Sequence, residues 1–138
     1  MDFAQLKKHF EERDRLAHLL GIKVEEAHSG YAKVSMELRE NLRNGVGLAH
    51  GGAIFTLADL AFAVAANADR ATVALSAQTS LSFLRAGKKG PLTAKAHTLH
   101  EGRTLVVVDV EIRDGDEYLL ASARITGART AKPMFSED

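Results

Sequence analysis

The chain has 138 residues, 18 Lys+Arg against 18 Asp+Glu, 46% hydrophobic and 26% charged residues, and no cysteine. That length and composition fit one globular domain, 1–138, and exclude a disordered chain, while zero net charge argues against a nucleic-acid partner. The lack of cysteine excludes disulfides, thiolate metal sites and a cysteine nucleophile. A charged N-terminus unlike a signal peptide, and no window near the ~18 apolar residues of a membrane span, predict a soluble cytoplasmic protein with no membrane partner.

Residues 2–20 read as one amphipathic helix. Phe3, Leu6, Phe10, Leu16 and Leu20 recur at near-helical spacing, and Gly21 is a stop signal. Ile22–Glu26 reads as a short partner strand turning at Ser29-Gly30. From Tyr31 the period changes to two: Ala32, Val34, Met36 and Leu38 alternate with polar residues, the pattern of a half-buried strand. Residues 41–52, NLRNGVGLAHGG, form a loop dense in Asn and Gly. It opens into a helix over 52–67 that is apolar except for Thr56 and Asp59, so it must be buried on most sides.

The rest reads as strand. Val73, Leu75, Ala77, Thr79, Leu81 and Phe83 are expected to share one face of a long strand, with a second over 91–99. Val106, Val108, Val110 and Ile112 mark a third, followed by a turn at Asp114-Gly115. Leu119, Ala121, Ala123 and Ile125 mark the last, and the tail 129–138 is expected to fray. Strands in runs joined by short turns pair antiparallel, giving an α+β fold. A helix over 52–67 is ~24 Å long, about the width of five strands ~4.8 Å apart. The pattern predicts a five-stranded sheet rolled around that helix, with an oligomer covering its remaining face or edges.

Asp59 stands out because its helical neighbours are apolar and burying an unpaired carboxylate is costly. It is either a solvent-facing or paired residue, or a carboxylate held in a cleft for acid–base or nucleophilic work. His50-Gly51-Gly52 begins the same helix. The first N–H groups of a helix lack internal partners, and two glycines leave them open to a ligand oxygen, as an oxyanion site requires. The bland alternative is a glycine-rich helix start. Asn44 is a turn former or a polar contact for the same site, and Ser76 a solvated hydroxyl or a supporting donor. Arg85, Lys88 and Lys89 form a basic turn, either solvated or in contact with a ligand phosphate. The six histidines make no metal motif: His97 and His100 fall on opposite faces of a strand.

The stretch NGVGLAHGGAIFTLADLAFAVAAN, residues 44–67, followed by VALS at 73–76, resembles the hotdog-fold acyl-CoA thioesterases of the phenylacetate-degradation (PaaI) type. The resemblance covers roughly 20–128 and implies a hotdog fold, a five-stranded antiparallel sheet wrapped around a long central helix, with the N-terminal helix as an appendage. It implies homodimers that pair into tetramers, an acyl-CoA substrate, and no cofactor beyond the substrate's own CoA. It matches Asp59 to the catalytic carboxylate and Gly51 to the N–H that polarises the thioester carbonyl. His50 and Asn44 match the residues shaping that hole, and Ser76 a serine holding the water. Gly52, Arg85 and Lys88 are then candidate substrate contacts, although Phe83-Leu84-Arg85 stands where many relatives carry a proline. The rivals on one fold are a non-catalytic acyl-CoA sensor, which needs no carboxylate at the thioester, and a hydratase, whose Asp–His pair is not seen.

Overall fold

Seventeen residues, Gly51–Asn67, form the long helix α3 around which the rest is built. Its apolar composition is explained by what it touches. Ala53, Ile54, Leu57, Ala58, Leu60, Ala61, Phe62, Val64, Ala65 and Ala66 are all buried, most of them against a curved sheet. The computed structural model describes residues 2–135. Within it the sheet has six strands: β1 (Lys23–His28), β2 (Tyr31–Met36), β3 (Thr72–Phe83), β4 (Leu92–Glu101), β5 (Leu105–Arg113) and β6 (Leu119–Pro133). All pairings are antiparallel, in the order β1-β2-β4-β5-β6-β3, which leaves β1 and β3 as edges. The expected wrapped architecture is present with one strand more than the five expected, because the short segment after Gly21 pairs with β2 from Lys23 to His28, interrupted by one bulge after Val24.

The N-terminal segment is not the single helix expected over 2–20. Helix α1 (Phe3–Lys8) runs into a π-helical turn (His9–Arg13), the chain breaks at Asp14, and α2 (Arg15–Leu20) restarts. Asp14 leaves the helical region at φ −77°, ψ 101°, and its side chain accepts from the Ala17 N–H at 3.0 Å. An aspartate that satisfies a free helix-start donor competes well with continuing the helix. Gly21, at φ +71°, ends α2 where the sequence places the stop.

Two expectations about the strands are corrected. Along β3, Ser76 pairs with Gly127 and Gln78 with Thr126, so Ala77 is an extra residue forming a bulge. Thr79, Leu81 and Phe83 lie opposite Ile125, Ala123 and Ala121, on the face toward α3, as predicted. Before the bulge the parity is reversed: Ala74 and Ser76 face α3, and Val73 and Leu75 do not. The tail is also not frayed from Ala128 onward. β6 continues to Pro133 opposite Thr72; residues 136–138 of the expected tail lie outside those described.

The polar residues that hold this continuation were not singled out in the sequence. Asn67, the last residue of α3 and buried, accepts from the Ala74 N–H at 2.7 Å and donates to the Ala74 carbonyl at 3.1 Å. Arg129 donates to Asn67 Oδ1 (3.1 Å), to the carbonyls of Thr72 and Ala66 (each 2.8 Å), and to Glu101 (2.9 Å). It thus caps the C-terminal end of α3, where a cation complements the helix dipole. Gly127 completes the contact, since a Cβ there would overlap the ring of Phe62. Replacing Asn67 by Leu strands the Ala74 backbone groups and one arm of Arg129 in a buried site. The expected loss is about 2 kcal/mol or more in urea unfolding, from the cost of unsatisfied buried polar groups.

Candidate active site

The loop before α3 is shaped by Asn44. Its Oδ1 accepts from the N–H groups of Val46 and Leu48, each at 3.0 Å, while its own backbone N–H donates to the Leu48 carbonyl at 2.7 Å. Gly47, at φ +81°, supplies the left-handed step that closes the turn. The turn-forming reading of Asn44 is therefore met, and its Nδ2 makes no hydrogen bond among the described residues. The loop returns through a bridge between Arg43 and Ala49, and the His50 N–H donates to the Leu42 carbonyl at 2.9 Å.

His50 is the N-cap of α3. Its Nδ1 accepts from the Gly52 N–H at 2.9 Å, which in the neutral ring places the proton on Nε2. The His50 carbonyl takes the N–H groups of Ala53 (3.0 Å) and Ile54 (3.1 Å). One donor of the helix start is left without a partner among the described residues: the N–H of Gly51. Gly51 lines a cavity of about 410 Å³ with Asn44, Leu48, Ile54, Phe83 and Arg85. The ring of Phe83 lies 3.3 Å from where a Cβ on Gly51 would sit, so a side chain there would press on the ring. Gly52 does not share this cavity. It opens on the other side of the helix start, toward Leu16 and Leu20 of α2 and Thr56.

Asp59 lies two turns further along α3, half-buried on a stripe left open by the sheet, with Gly52, Phe55, Thr56 and Ala63. Burial pushes its carboxyl above the ordinary range; Ser76, which faces it from β3, works the other way, and the charge of Asp14 adds to the rise. Ser76 and Asp59 do not close a hydrogen bond of ordinary geometry. Arg85 stacks its guanidinium 3.5 Å over the Tyr118 ring, at the border of the Gly51 cavity and a smaller one lined by Lys88 and Lys89. The Lys89 ammonium pairs with Asp116 at 3.0 Å, and the Lys88 ammonium makes no ion pair among the described residues. No three His, Asp or Glu side chains among the described residues are placed to share a metal ion. No helix there is long and apolar enough to cross a membrane.

The site thus gathers Gly51, Asn44 and Arg85 around one cavity, and sets Asp59, with Ser76 facing it, apart from that cavity on the open stripe of α3. Asp14 is the residue sequence reasoning missed; its signal was a capping-type residue inside an apolar helical period.

Residues 46–121 match the family model described as the thioesterase superfamily. The chain belongs to that superfamily, and with its wrapped central helix it is a thioester hydrolase of hotdog fold. Within the class it is of the PaaI type. Acyl-coenzyme A thioesterase PaaI of Escherichia coli K12 is 38% identical over 127 residues, 88% of this chain and 90% of that protein. The solved structure of E. coli PaaI matches with a TM-score of 0.87 and 34% identity, over 94% of each chain. A Streptococcus mutans protein solved bound to acetyl CoA matches with a TM-score of 0.75 and 31% identity, over 80% of this chain and 90% of that one.

The upward shift at Asp59 has a consequence for stability. A carboxyl whose folded pKa is raised stabilises fully below its unfolded pKa, and that contribution is lost as pH rises through the folded value. Asp59→Asn is expected to raise Tm at about pH 7 and to lose the advantage near pH 3, where the native carboxyl is also neutral. Thermal unfolding at the two pH values measures it.

Proposed function

We propose that the protein hydrolyses an acyl- or aryl-acyl-CoA thioester to the free acid and CoA, in the cytoplasm, at a site shared between two copies of the chain. The observation that carries this reading is the separation of the two halves of the chemistry. The lone open N–H of the α3 start is at Gly51, and Asp59 is eight residues on along the same helix, about 12 Å at 1.5 Å per residue. A carbonyl held on that N–H and a water held on that carboxylate must meet within roughly 3–3.5 Å. A two-fold dimer with antiparallel α3 helices brings the partner's Asp59 toward Gly51 and makes two such sites. The open stripe of α3 and the unpaired edge of β3, with Phe55 42% and Phe83 57% exposed, support an interface there. Two such dimers pair into the tetramer implied by the resemblance.

In this reading the Gly51 N–H polarises the thioester carbonyl, and Asn44 and His50 hold the loop that aims it. The partner's Asp59 takes a proton from water as its oxygen attacks the carbonyl carbon. The tetrahedral adduct collapses, the C–S bond breaks, and the CoA thiolate leaves and is protonated. Ser76 helps hold the water. Arg85 and Lys88, beside the Gly51 cavity, contact the phosphates of CoA. The mechanism draws on a helix-start dipole and one carboxylate, which suits an acyl donor as reactive as a thioester.

The test follows release of the CoA thiol with a trapping reagent over a panel of CoA esters. Asp59→Ala is expected to lower kcat by at least the roughly 10²-fold typical of a lost general base, and Gly51→Val to lower it strongly. Unfolding equal amounts of the two inactive chains together and refolding them gives hybrids in half of the dimers. Each hybrid holds one intact site, so about a quarter of wild-type activity should return. No recovery would place both halves of the site in one chain and overturn the shared arrangement.

A further inference from the structure

The turn from Asp114 to Tyr118 reads from sequence as a plain hairpin, yet it is fastened to the loop that carries the basic side chains. Asp114 is buried, and its Oδ1 accepts from the N–H groups of Asp116 at 2.9 Å and Tyr118 at 3.0 Å. Its own backbone N–H donates to the Tyr118 carbonyl at 3.0 Å. The Gly115 N–H donates to the Lys89 carbonyl at 2.9 Å, and a Cβ on Gly115 would overlap the Gly90 carbonyl. Two residues beyond Tyr118, the Leu120 carbonyl accepts from the N–H groups of Leu84 (2.8 Å) and Arg85 (3.2 Å). Backbone bonds on both sides therefore hold Tyr118 and Arg85 next to each other.

The side chains meet as well. The guanidinium carbon of Arg85 is 3.5 Å from the centroid of the Tyr118 ring. An edge-on guanidinium at that distance would drive a nitrogen into the ring, so the two planes lie nearly parallel and the N–H donors point outward around the rim of the stack. The stack borders the Gly51 cavity and the smaller one, of about 190 Å³, that Tyr118 lines with Lys88 and Lys89. Its acids are already engaged: Asp116 pairs with Lys89 at 3.0 Å, and Asp114 is taken up by the turn. Arg85 and Lys88 remain as the open cations among the described residues.

We propose that Tyr118 is a positioning residue for the substrate: its ring holds the Arg85 guanidinium between the two cavities with its donors free for the phosphates of CoA. An unstacked arginine gives up its rotamer freedom when it grips a phosphate, whereas a stacked one has given it up beforehand. Tyr118 lines the smaller cavity and not the one that holds Gly51, so its effect falls on binding of the nucleotide end and not on the thioester.

This proposal rests on the reading of Arg85 as a phosphate contact, and the experiment separates the two. On the full-length protein, kcat and KM for phenylacetyl-CoA and the Kd of free CoA by calorimetry are measured for Arg85→Ala, Tyr118→Leu, Tyr118→Phe and the double variant Arg85→Ala/Tyr118→Leu. Tyr118 is 49% exposed, so these changes leave the core alone. Tyr118→Leu is expected to raise KM and Kd about two- to fivefold, the range of an exposed cation–π contact, with kcat unchanged. Tyr118→Phe keeps the ring face and is expected to match wild type. Arg85→Ala is expected to raise both constants about tenfold or more, and the double variant no further, because Tyr118 acts only through Arg85. S-phenylacetyl-N-acetylcysteamine, a thioester without the nucleotide, is expected to be cleaved alike by wild type and all four variants. A Tyr118→Leu protein that binds CoA as well as wild type or better, or whose loss adds to that of Arg85→Ala, overturns the proposal. Unchanged CoA affinity in Arg85→Ala overturns instead the assignment of Arg85 to the phosphates.

Discussion

The tie between the end of α3 and the start of β3 governs the remainder of the structure. Asn67 closes α3 and grips both backbone groups of Ala74, at 2.7 and 3.1 Å. Asp59 is two turns back from Asn67 along a rigid helix, and Ser76 is two residues on from Ala74 along a paired strand. One buried amide therefore fixes the separation of the carboxylate from the hydroxyl that faces it. Arg129 ties the same point to β6 and to Glu101, so the junction is held from three directions. A buried polar cluster of this kind specifies a geometry because each group left unpaired would be costly.

Around that junction, the electrostatics of Asp59 come from position rather than from strong partners. Among the described residues nothing basic pairs with it; burial raises its proton affinity, the Ser76 hydroxyl lowers it and the charge of Asp14 raises it again. A carboxylate in such a setting is poorly stabilised as an anion, which is a liability for the fold and an asset for removing a proton from water. At the other end of the helix, the cap works by subtraction. His50 absorbs three of the first N–H groups, two on its carbonyl and one on its ring, and leaves one aimed outward. Two glycines in the sequence suggested two open donors; the folded loop keeps one.

Much of this was legible in the sequence, for identifiable reasons. The run 53–66, apolar except for Thr56 and Asp59, could only be a buried helix, and the alternation over 31–38 and 106–112 could only be half-buried strand. The oddity of Asp59 in an apolar helix and of glycines at its start survived into the structure as a half-buried carboxylate and, apart from it, an open N–H at a cavity. What was hidden depended on competition between local and distant partners. Asp14 as a cap outbid helix continuation, a choice invisible to hydrophobic period. The 129–133 segment carries polar residues because Arg129 and Thr130 bond to the ends of α3 and β3, 57 or more residues away in sequence. Polarity there marks partners, and composition alone reads it as solvent exposure.

The bulge at Ala77 divides β3 into two halves whose side chains follow opposite parity. Upstream, the inward residues are Ala74 and Ser76; downstream they are Thr79, Leu81 and Phe83. Deleting Ala77 would set Gln78 directly after Ser76, as Thr126 and Gly127 are neighbours on β6, and Ser76, Thr79, Leu81 and Phe83 would all keep their face toward the central helix. Removing a residue elsewhere, Ser80 for example, would instead turn one part of the strand inside out, sending either Ser76 away from the central helix or Leu81 and Phe83 into solvent. The strand can therefore drift in the identity of its outward residues, Gln78, Ser80 and Ser82, and carries at Ala77 one letter that its pairing does not need.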